Sequence, residues 1–158
     1  MLTYFLRRIM MDIVRRNTDY ALRLMVNLAR HYGKGQVSTR AAASDQGVPY
    51  QLACKLMQKL HRSKLVKSSM GPKGGFVLGR EPSKISLFEV VEAIQGPISL
   101  NRCLLSLNAC PRQKSCPVRV KLKSLQKIIN SSLAGITFDE LSHSRIAKGK
   151  SKATKKRR

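Results

Sequence analysis

The sequence predicts a mainly α-helical fold with one small β-hairpin, on three observations. Apolar residues recur every three or four positions in several segments, as they do on one face of a helix. A glycine-rich loop at residues 71–75 separates two short stretches that are typical of β-strands. A final apolar repeat runs from Pro117 to Gly135, which is about five turns of helix. These features predict a winged helix-turn-helix domain followed by a long C-terminal helix.

The first two helices are predicted from their apolar repeats and end signals. The first covers residues 18–32, with Thr18 as its cap and Asp19 in its first turn, where the helix dipole favours negative charge. The second is short and lies between a Ser38 cap and Gly47.

The third helix is predicted to begin at Pro49, since proline suits the first position of a helix. One face is apolar and the other is polar and basic. The polar and basic face carries Gln51, Lys55, Gln58, Lys59 and Arg62. Two short helices joined by a tight turn, the second basic on its outward side, are typical of a helix-turn-helix that reads DNA. Because helical hairpins also occur as plain packing units, the segment that follows is needed to distinguish the two.

That segment predicts a wing. Strands are expected at residues 65–69 and 76–78, around the glycine-rich loop. A hairpin placed directly after a recognition helix is a wing, and Lys73 makes its tip basic. Such a tip suits a phosphate backbone or a minor groove.

Two further helices are predicted beyond the wing. Ser86 and Glu89 form a capping box for a helix over residues 86–94. The long helix from Pro117 has an apolar seam with spacings of four, three and four, and a short capped turn is predicted at residues 137–141. The seam consists of Val118, Leu122, Leu125 and Ile129. A seam of this period packs either within the chain or against a second copy, and a dimer is the more specific interpretation.

Charge is the unusual feature of the composition. The 158 residues carry 31 Lys and Arg against 8 Asp and Glu, a net charge of +23 that attracts polyanions. Seven of the bases lie in residues 148–158, a predicted disordered tail, so most of the surplus belongs to the folded part. The absence of a long apolar run predicts no membrane span, and four cysteines without a secretion signal predict a cytoplasmic protein with reduced thiols. The sequence contains no recognisable motif that pairs a general base with a nucleophile, so an enzyme is not predicted.

Three cysteines predict a metal or cluster site. Cys103, Cys110 and Cys116 are separated by six and then five residues, on a segment expected to be a loop. Thiolates are the ligands of soft metals and iron–sulfur clusters, and the surrounding bases would offset their negative charge. Structural zinc sites usually begin with two to four residues between paired ligands, which neither gap matches. Spacing alone leaves a cluster, zinc and plain buried thiols open.

Taken together, these motifs resemble the IscR/NsrR family of bacterial winged helix-turn-helix transcription regulators, over residues 11 to about 142. The matching segments are TDYALR at 18–23, VPY at 48–50, GPKGGF at 71–76, ISL at 85–87, VV at 90–91, IQGP at 94–97 and the three cysteines. The resemblance implies a homodimer that binds a palindromic double-stranded DNA operator. It also implies an iron–sulfur cluster, commonly 2Fe–2S, that makes DNA binding respond to cluster status, nitric oxide or redox state.

The resemblance also suggests the fourth cluster ligand. One branch of the family has a histidine three residues after the last cysteine, where this chain has Arg119. Another branch uses an acidic residue of the first helix of the partner subunit, which Asp19 with Arg23 matches. Asp19 is therefore the predicted ligand, although the helix dipole alone would also explain an acid there.

The predicted DNA contacts lie on the helix-turn-helix and the wing. Gln51 and Lys55 are expected to read bases. The other expected contacts are Ser38, Thr39, Lys59 and Arg62 with phosphates, Pro49 and Tyr50 at the start of the recognition helix, and Lys73 in the wing. In the wing, relatives often carry arginine where this chain has Met70. On the recognition helix, Cys54 is interpreted first as a small, partly buried hydrophobe.

The predicted organisation divides the chain into five parts. These are residues 1–10 as an extension or a misassigned start, 11–97 as the DNA-binding domain, 98–117 as the cluster-binding loop, 118–142 as the dimerisation helix with its capping turn, and 143–158 as the basic tail. A competing interpretation is a basic RNA- or ribosome-associated protein with a structural zinc site. Aromatic residues make up only 5% and tryptophan is absent, so no platform for stacking RNA bases is visible.

Overall fold

The computed structural model describes residues 13–71, 74–106 and 110–144. The N-terminal extension, Lys73 and residues 145–158 of the predicted tail lie outside this range. The elements are α1 (Arg16–Arg30), α2 (Thr39–Gln46), α3 (Tyr50–Arg62), β1 (Val66–Ser69), β2 (Gly75–Leu78), a 3₁₀ helix (Pro82–Lys84), α4 (Leu87–Gln95), α5 (Arg102–Leu105), α6 (Pro117–Gly135) and α7 (Phe138–His143). The predicted fold class, mainly α-helical with one hairpin, is confirmed.

Helix ends follow the local signals in most places. The Ser38 hydroxyl accepts a hydrogen bond from the Ala41 backbone N–H at 3.1 Å, and Gly47 ends α2 in the left-handed conformation. Ser86 and Glu89 form the predicted capping box at the start of α4. Helices α2 and α4 therefore begin where the sequence predicts.

The starts of α1 and α3 differ from prediction. Thr18 does not cap α1, which begins at Arg16, because its side chain is fully buried and its hydroxyl donates to Gln95 Oε1 at 2.7 Å. Pro49 lies immediately before α3 rather than in its first turn, and its carbonyl accepts the Ala53 N–H at 2.9 Å. The cap of α1 is therefore Arg15, three residues before the predicted Thr18, and α3 begins one residue later than predicted.

The hydrophobic core lies between α1, α3 and α4 and is closed by α7. Its largest fully buried side chains include Leu24, Met25, Met57, Leu60, Ile85, Val90 and Phe138. Phe138 reaches the core because residues 136–138 pair with the start of α4: the Leu87 N–H donates to the Ile136 carbonyl and the Phe138 N–H to the Ile85 carbonyl. The short turn after the long helix thus returns to the helix-turn-helix domain.

The long helix α6 packs only loosely on its own chain. All of α6 lies in the described part of the chain, and none of its side chains is buried. In the predicted seam, Leu122 and Ile129 are half-buried, whereas Val118 is 61% and Leu125 51% exposed, next to Ile128 at 61%. One half of the seam therefore faces water. Within the described residues, no helix combines the length and the apolar character needed to cross a membrane.

Candidate nucleic-acid interface and cysteine segment

The outward face of α3 is open to solvent. Its inner side chains Leu56, Met57 and Leu60 are buried in the core, which fixes the rotation of the helix. Gln51 and Lys55 are exposed on the opposite side, as are Lys59 and Arg62, and Cys54 is half-buried between the two faces. The outward side of α3 is therefore a polar and basic surface that solvent can reach.

Lys59 makes a contact that its position in the sequence does not suggest. Its ammonium group donates to the Ile94 carbonyl at the end of α4, at 3.4 Å. Positive charge is favourable at the C-terminus of a helix. Lys59 therefore joins the recognition helix to α4. The same ammonium group would have to make the predicted phosphate contact as well.

The start of α2 lies beside the start of α3. Ser38, Pro49 and Tyr50 are exposed and Thr39 is half-buried. The guanidinium of Arg40 lies over the ring of Tyr50, 4.8 Å from its centroid. Sequence reasoning missed Arg40, because nine residues, which include most of α2 and the turn after it, lie between it and its partner.

The start of β2 fastens the wing to the residues just before α2. Strands β1 and β2 pair antiparallel from Val66 with Leu78 to Ser69 with Gly75. Phe76 exchanges backbone hydrogen bonds with Val37, at 2.9 and 3.0 Å. A side chain at position 75 would place its Cβ 2.4 Å from the Val37 carbonyl oxygen, so only glycine permits this approach.

An ion pair ties the end of the wing to α4. The guanidinium of Arg80 donates to the Glu89 carboxylate and to the Lys84 carbonyl. Partial burial alone would raise the pKa of Glu89, but the hydrogen bonds from Ser86 and Arg80, and the charge of Arg80, together hold this pKa below its ordinary value. The carboxylate is therefore charged in its capping role.

The cysteine segment differs from the predicted loop. Cys103 lies on the short helix α5, Cys110 in the following connection and Cys116 immediately before α6. All three are half-buried free thiols. Within residues 13–71, 74–106 and 110–144, no three His, Cys, Asp or Glu side chains are grouped closely enough to hold a metal ion. The single chain thus brings the three cysteines into one segment without gathering their sulfurs.

Neighbouring residues hold this segment against α6. The Arg119 guanidinium donates to the Cys103 carbonyl at 3.2 Å, and the Leu100 N–H donates to the Gln126 side chain at 2.8 Å. Gln113, between Cys110 and Cys116, has a buried Oε1 that meets no hydrogen-bond partner among the described residues. A buried polar atom without a partner is a site where a further group is expected.

Asp19 is exposed on the first turn of α1. Its carboxylate lies 3.7 Å from the guanidinium of Arg23, which also donates to the Gln46 carbonyl at the end of α2. Asp19 is not part of a metal-holding group within the described residues. Its carboxylate therefore faces solvent, beside one arginine.

Comparison with known proteins identifies the family. The family described as "Rrf2: Iron-dependent Transcriptional regulator" matches residues 14–144. The chain belongs to the Rrf2 family. The HTH-type transcriptional regulator IscR of Sodalis glossinidius (strain morsitans) is 31% identical over 122 residues, which are 77% of this chain and 73% of that protein.

Solved structures agree with this membership. This Rrf2 chain is similar to CymR, the global cysteine regulator of B. subtilis, with a TM-score of 0.68 and 26% identity over 82% of this chain and 95% of that one. It is similar to T. potens IscR with a TM-score of 0.64 and 26% identity over 81% and 84% of the two chains. The Rrf2 chain is therefore a transcription regulator of a DNA-binding family, rather than an RNA- or ribosome-associated protein.

Proposed function

We propose that this Rrf2 protein binds a palindromic operator as a homodimer and that an iron–sulfur cluster controls its affinity. The observation that carries the proposal is the exposed polar and basic face of α3, with Gln51 and Lys55 at its centre. A helix of this kind enters the major groove, where amide and ammonium groups meet base edges. Ser38 at the start of α2 and Arg62 of α3 are exposed, and we expect them to contact phosphates.

The second copy is proposed to cover the open half of the α6 seam. Val118, Leu125 and Ile128 lie on one side of the helix and are all more than half exposed. Pairing two such faces would remove apolar surface from water and fix the separation of two recognition helices. A fixed separation matches two half-sites about one helical turn apart.

The cluster is proposed to be held by Cys103, Cys110 and Cys116, with Asp19 of the partner subunit as fourth ligand. The residues fit such a group by type: three free thiols lie in a segment, residues 98–138, that contains seven bases and no acid. Positive neighbours stabilise a thiolate-bound cluster of net negative charge. Among the described residues, the buried Oε1 of Gln113 has no hydrogen-bond partner, which leaves an acceptor for a further group between Cys110 and Cys116. When bound, a cluster of the 2Fe–2S type would supply reversible one-electron chemistry and sensitivity to nitric oxide.

The chain itself offers a route from this site to the recognition helix. Gln95, the last residue of α4, holds the first turn of α1 through Thr18, one residue before Asp19. Ile94, the preceding residue, accepts the hydrogen bond from Lys59 of α3. A displacement of the start of α1 would therefore be transmitted to the recognition helix through Gln95 and Ile94, which are adjacent in α4.

Anaerobic purification tests the cluster assignment. The wild-type protein is expected to contain about two iron and two sulfide ions per chain if the cluster is 2Fe–2S. Serine variants of Cys103, Cys110 and Cys116 should lose iron and visible absorbance, whereas Cys54→Ser, on α3, is the matched control and should keep both. Asp19→Ala should alter the absorption spectrum. Iron-free wild-type protein, or equal iron in all four cysteine variants, would contradict the assignment.

A salt titration tests the DNA contacts separately. Operator affinity should fall steeply as salt rises, because each phosphate contact releases counterions. Arg62→Ala is expected to reduce the slope of log Kd against log salt by about one. An affinity that stays flat between low and moderate salt would contradict the phosphate contacts and leave the cluster assignment untouched.

A further inference from the structure

Met70 is the most exposed large apolar side chain of the wing. It follows directly after β1 and is 99% exposed, whereas Val77 on the paired strand is 36% exposed. The chain reverses next to it, where the Gly74 N–H donates to the Gly71 carbonyl at 2.8 Å. Packing within the chain therefore does not explain a methionine at this position, since its side chain meets almost nothing but water.

The wing holds Met70 on the side of the molecule that carries the helix-turn-helix. Gly75, paired with Ser69 at the end of the hairpin, lies against Val37 and the backbone of Ser38. Ser38 is the cap of α2 and one of the proposed phosphate contacts. The end of the hairpin at Ser69 and Gly75 thus lies beside the surface that is proposed to face DNA.

The charge around Met70 favours a polyanion as its partner. Residues 46–80 contain no aspartate or glutamate, and Asp45 of α2, which lines the depression beside Gly74, accepts a hydrogen bond from Asn27. Lys67, Ser68 and Ser69 of β1 are all exposed and directly precede Met70. The apolar side chain therefore follows one ammonium and two hydroxyl groups that can donate hydrogen bonds. An apolar side chain on a basic, donor-rich hairpin suits the minor groove, whose walls are sugars between two rows of phosphates.

We propose that Met70 enters the minor groove flanking each half-site and packs against sugars and the edge of a base step, which it partly unstacks. This inference rests on the proposed DNA binding and adds a specificity determinant to it. Pyrimidine–purine steps such as TA and CA/TG unstack most easily, so Met70 would favour operators with such a step beneath the wing. The preference would act through the deformability of the DNA and not through hydrogen bonds to bases.

The test uses full-length protein and a duplex selected by it from a random library, with 2-aminopurine placed at successive flanking positions. Wild-type protein should raise the fluorescence at one step on each side, and Met70→Ala should abolish this rise and weaken binding about tenfold. Met70→Leu, which stays apolar, should keep both signals. The slope of log Kd against log salt should not change in Met70→Ala, because no ionic contact is lost.

Three outcomes separate the possibilities. Equal affinity and equal fluorescence of Met70→Ala and wild type would overturn the proposal and leave DNA binding through α3 intact. A salt slope that changes with Met70→Ala would also overturn it, since the residue would then act through phosphate contacts. Failure of the wild type to select any duplex would overturn the proposed function itself. Because Met70 is almost fully exposed, all variants should fold, which unchanged circular dichroism and melting temperature would verify.

Discussion

The hydroxyl of Thr18 donates to Oε1 of Gln95 at 2.7 Å, so the last residue of α4 holds the first turn of α1. The same oxygen accepts the Arg15 N–H at 3.0 Å, and the Gln95 amide donates to the Ile13 carbonyl at 2.9 Å. Gln95 therefore supplies the end group that α1 lacks locally. It also lies shortly before the cysteine segment, so it connects the helix that carries Asp19 with the cysteines of the same chain.

Replacement of Gln95 by alanine is expected to lower the free energy of unfolding by about 1–3 kcal/mol, because the buried Thr18 hydroxyl loses its acceptor. Urea-induced unfolding measures the change. Gln51→Ala is the matched control: this glutamine is exposed on α3, and its loss should cost less than about 0.5 kcal/mol. Equal stabilities of the Gln95 variant and the wild type would show that these hydrogen bonds do not hold α1.

The Arg40–Tyr50 pair is expected to strengthen DNA binding by ordering a cation at the start of the recognition helix. Arg40→Ala should weaken operator binding about five- to tenfold. Tyr50→Phe keeps the ring and should bind nearly as well as wild type, whereas Tyr50→Leu should resemble Arg40→Ala. Lys84→Ala, which removes a base paired with Glu81 on the 3₁₀ helix, is the charge control and should have little effect. Fluorescence anisotropy with a labelled operator gives the affinities.

The dimer assignment predicts an asymmetry between two sides of α6. Leu125→Glu should convert a dimer to a monomer, because the charge would lie in the apolar contact. Ala134 is also exposed, but it lies nine positions after Leu125, so the helical period of 3.6 residues puts it on the opposite side of α6. Ala134→Glu should therefore leave the dimer intact. Sedimentation velocity distinguishes the two, and a monomeric wild type, or a dimer in both variants, would contradict the assignment.

The lowered pKa of Glu89 predicts a pH dependence of stability. A carboxyl group whose pKa is lower in the folded state stabilises the fold above its ordinary pKa, and this stabilisation is lost as the pH falls through the lowered value. Glu89→Gln should therefore be less stable than wild type at pH 7 and approach it in acid. The side chain is 39% exposed, so screening should keep the difference below about 1 kcal/mol. Thermal melts of both proteins from pH 7 down to pH 3 provide the comparison.

Local signals predicted the fold well where the interacting groups lie within a few residues. The Ser38 cap, the turn at Gly47 and the capping box of Ser86 and Glu89 are of this kind. The prediction failed at Thr18, because its partner Gln95 is 77 residues away and a hydroxyl near a helix start has the same signature whether it caps or is buried. Local propensity could not reveal that contact.

The site was predicted less completely than the fold. The exposure of Gln51 and Lys55 follows from the helical period of α3, so the sequence predicted it. The Arg40–Tyr50 stacking and the Lys59 contact with Ile94 depend on how helices pack, which no spacing encodes. The cysteine ligands and Asp19 stay predictions, since the described residues do not group them.

The state of the cysteine segment is proposed to set the affinity of α3 for DNA. The operator affinity of the same anaerobic preparation, measured before and after removal of the cluster and with iron content determined in parallel, tests this coupling. We expect the affinity for the selected operator to change at least tenfold between the two forms, and the Cys103→Ser variant to show no such change. Equal affinities of the iron-loaded and iron-free wild-type protein would contradict it.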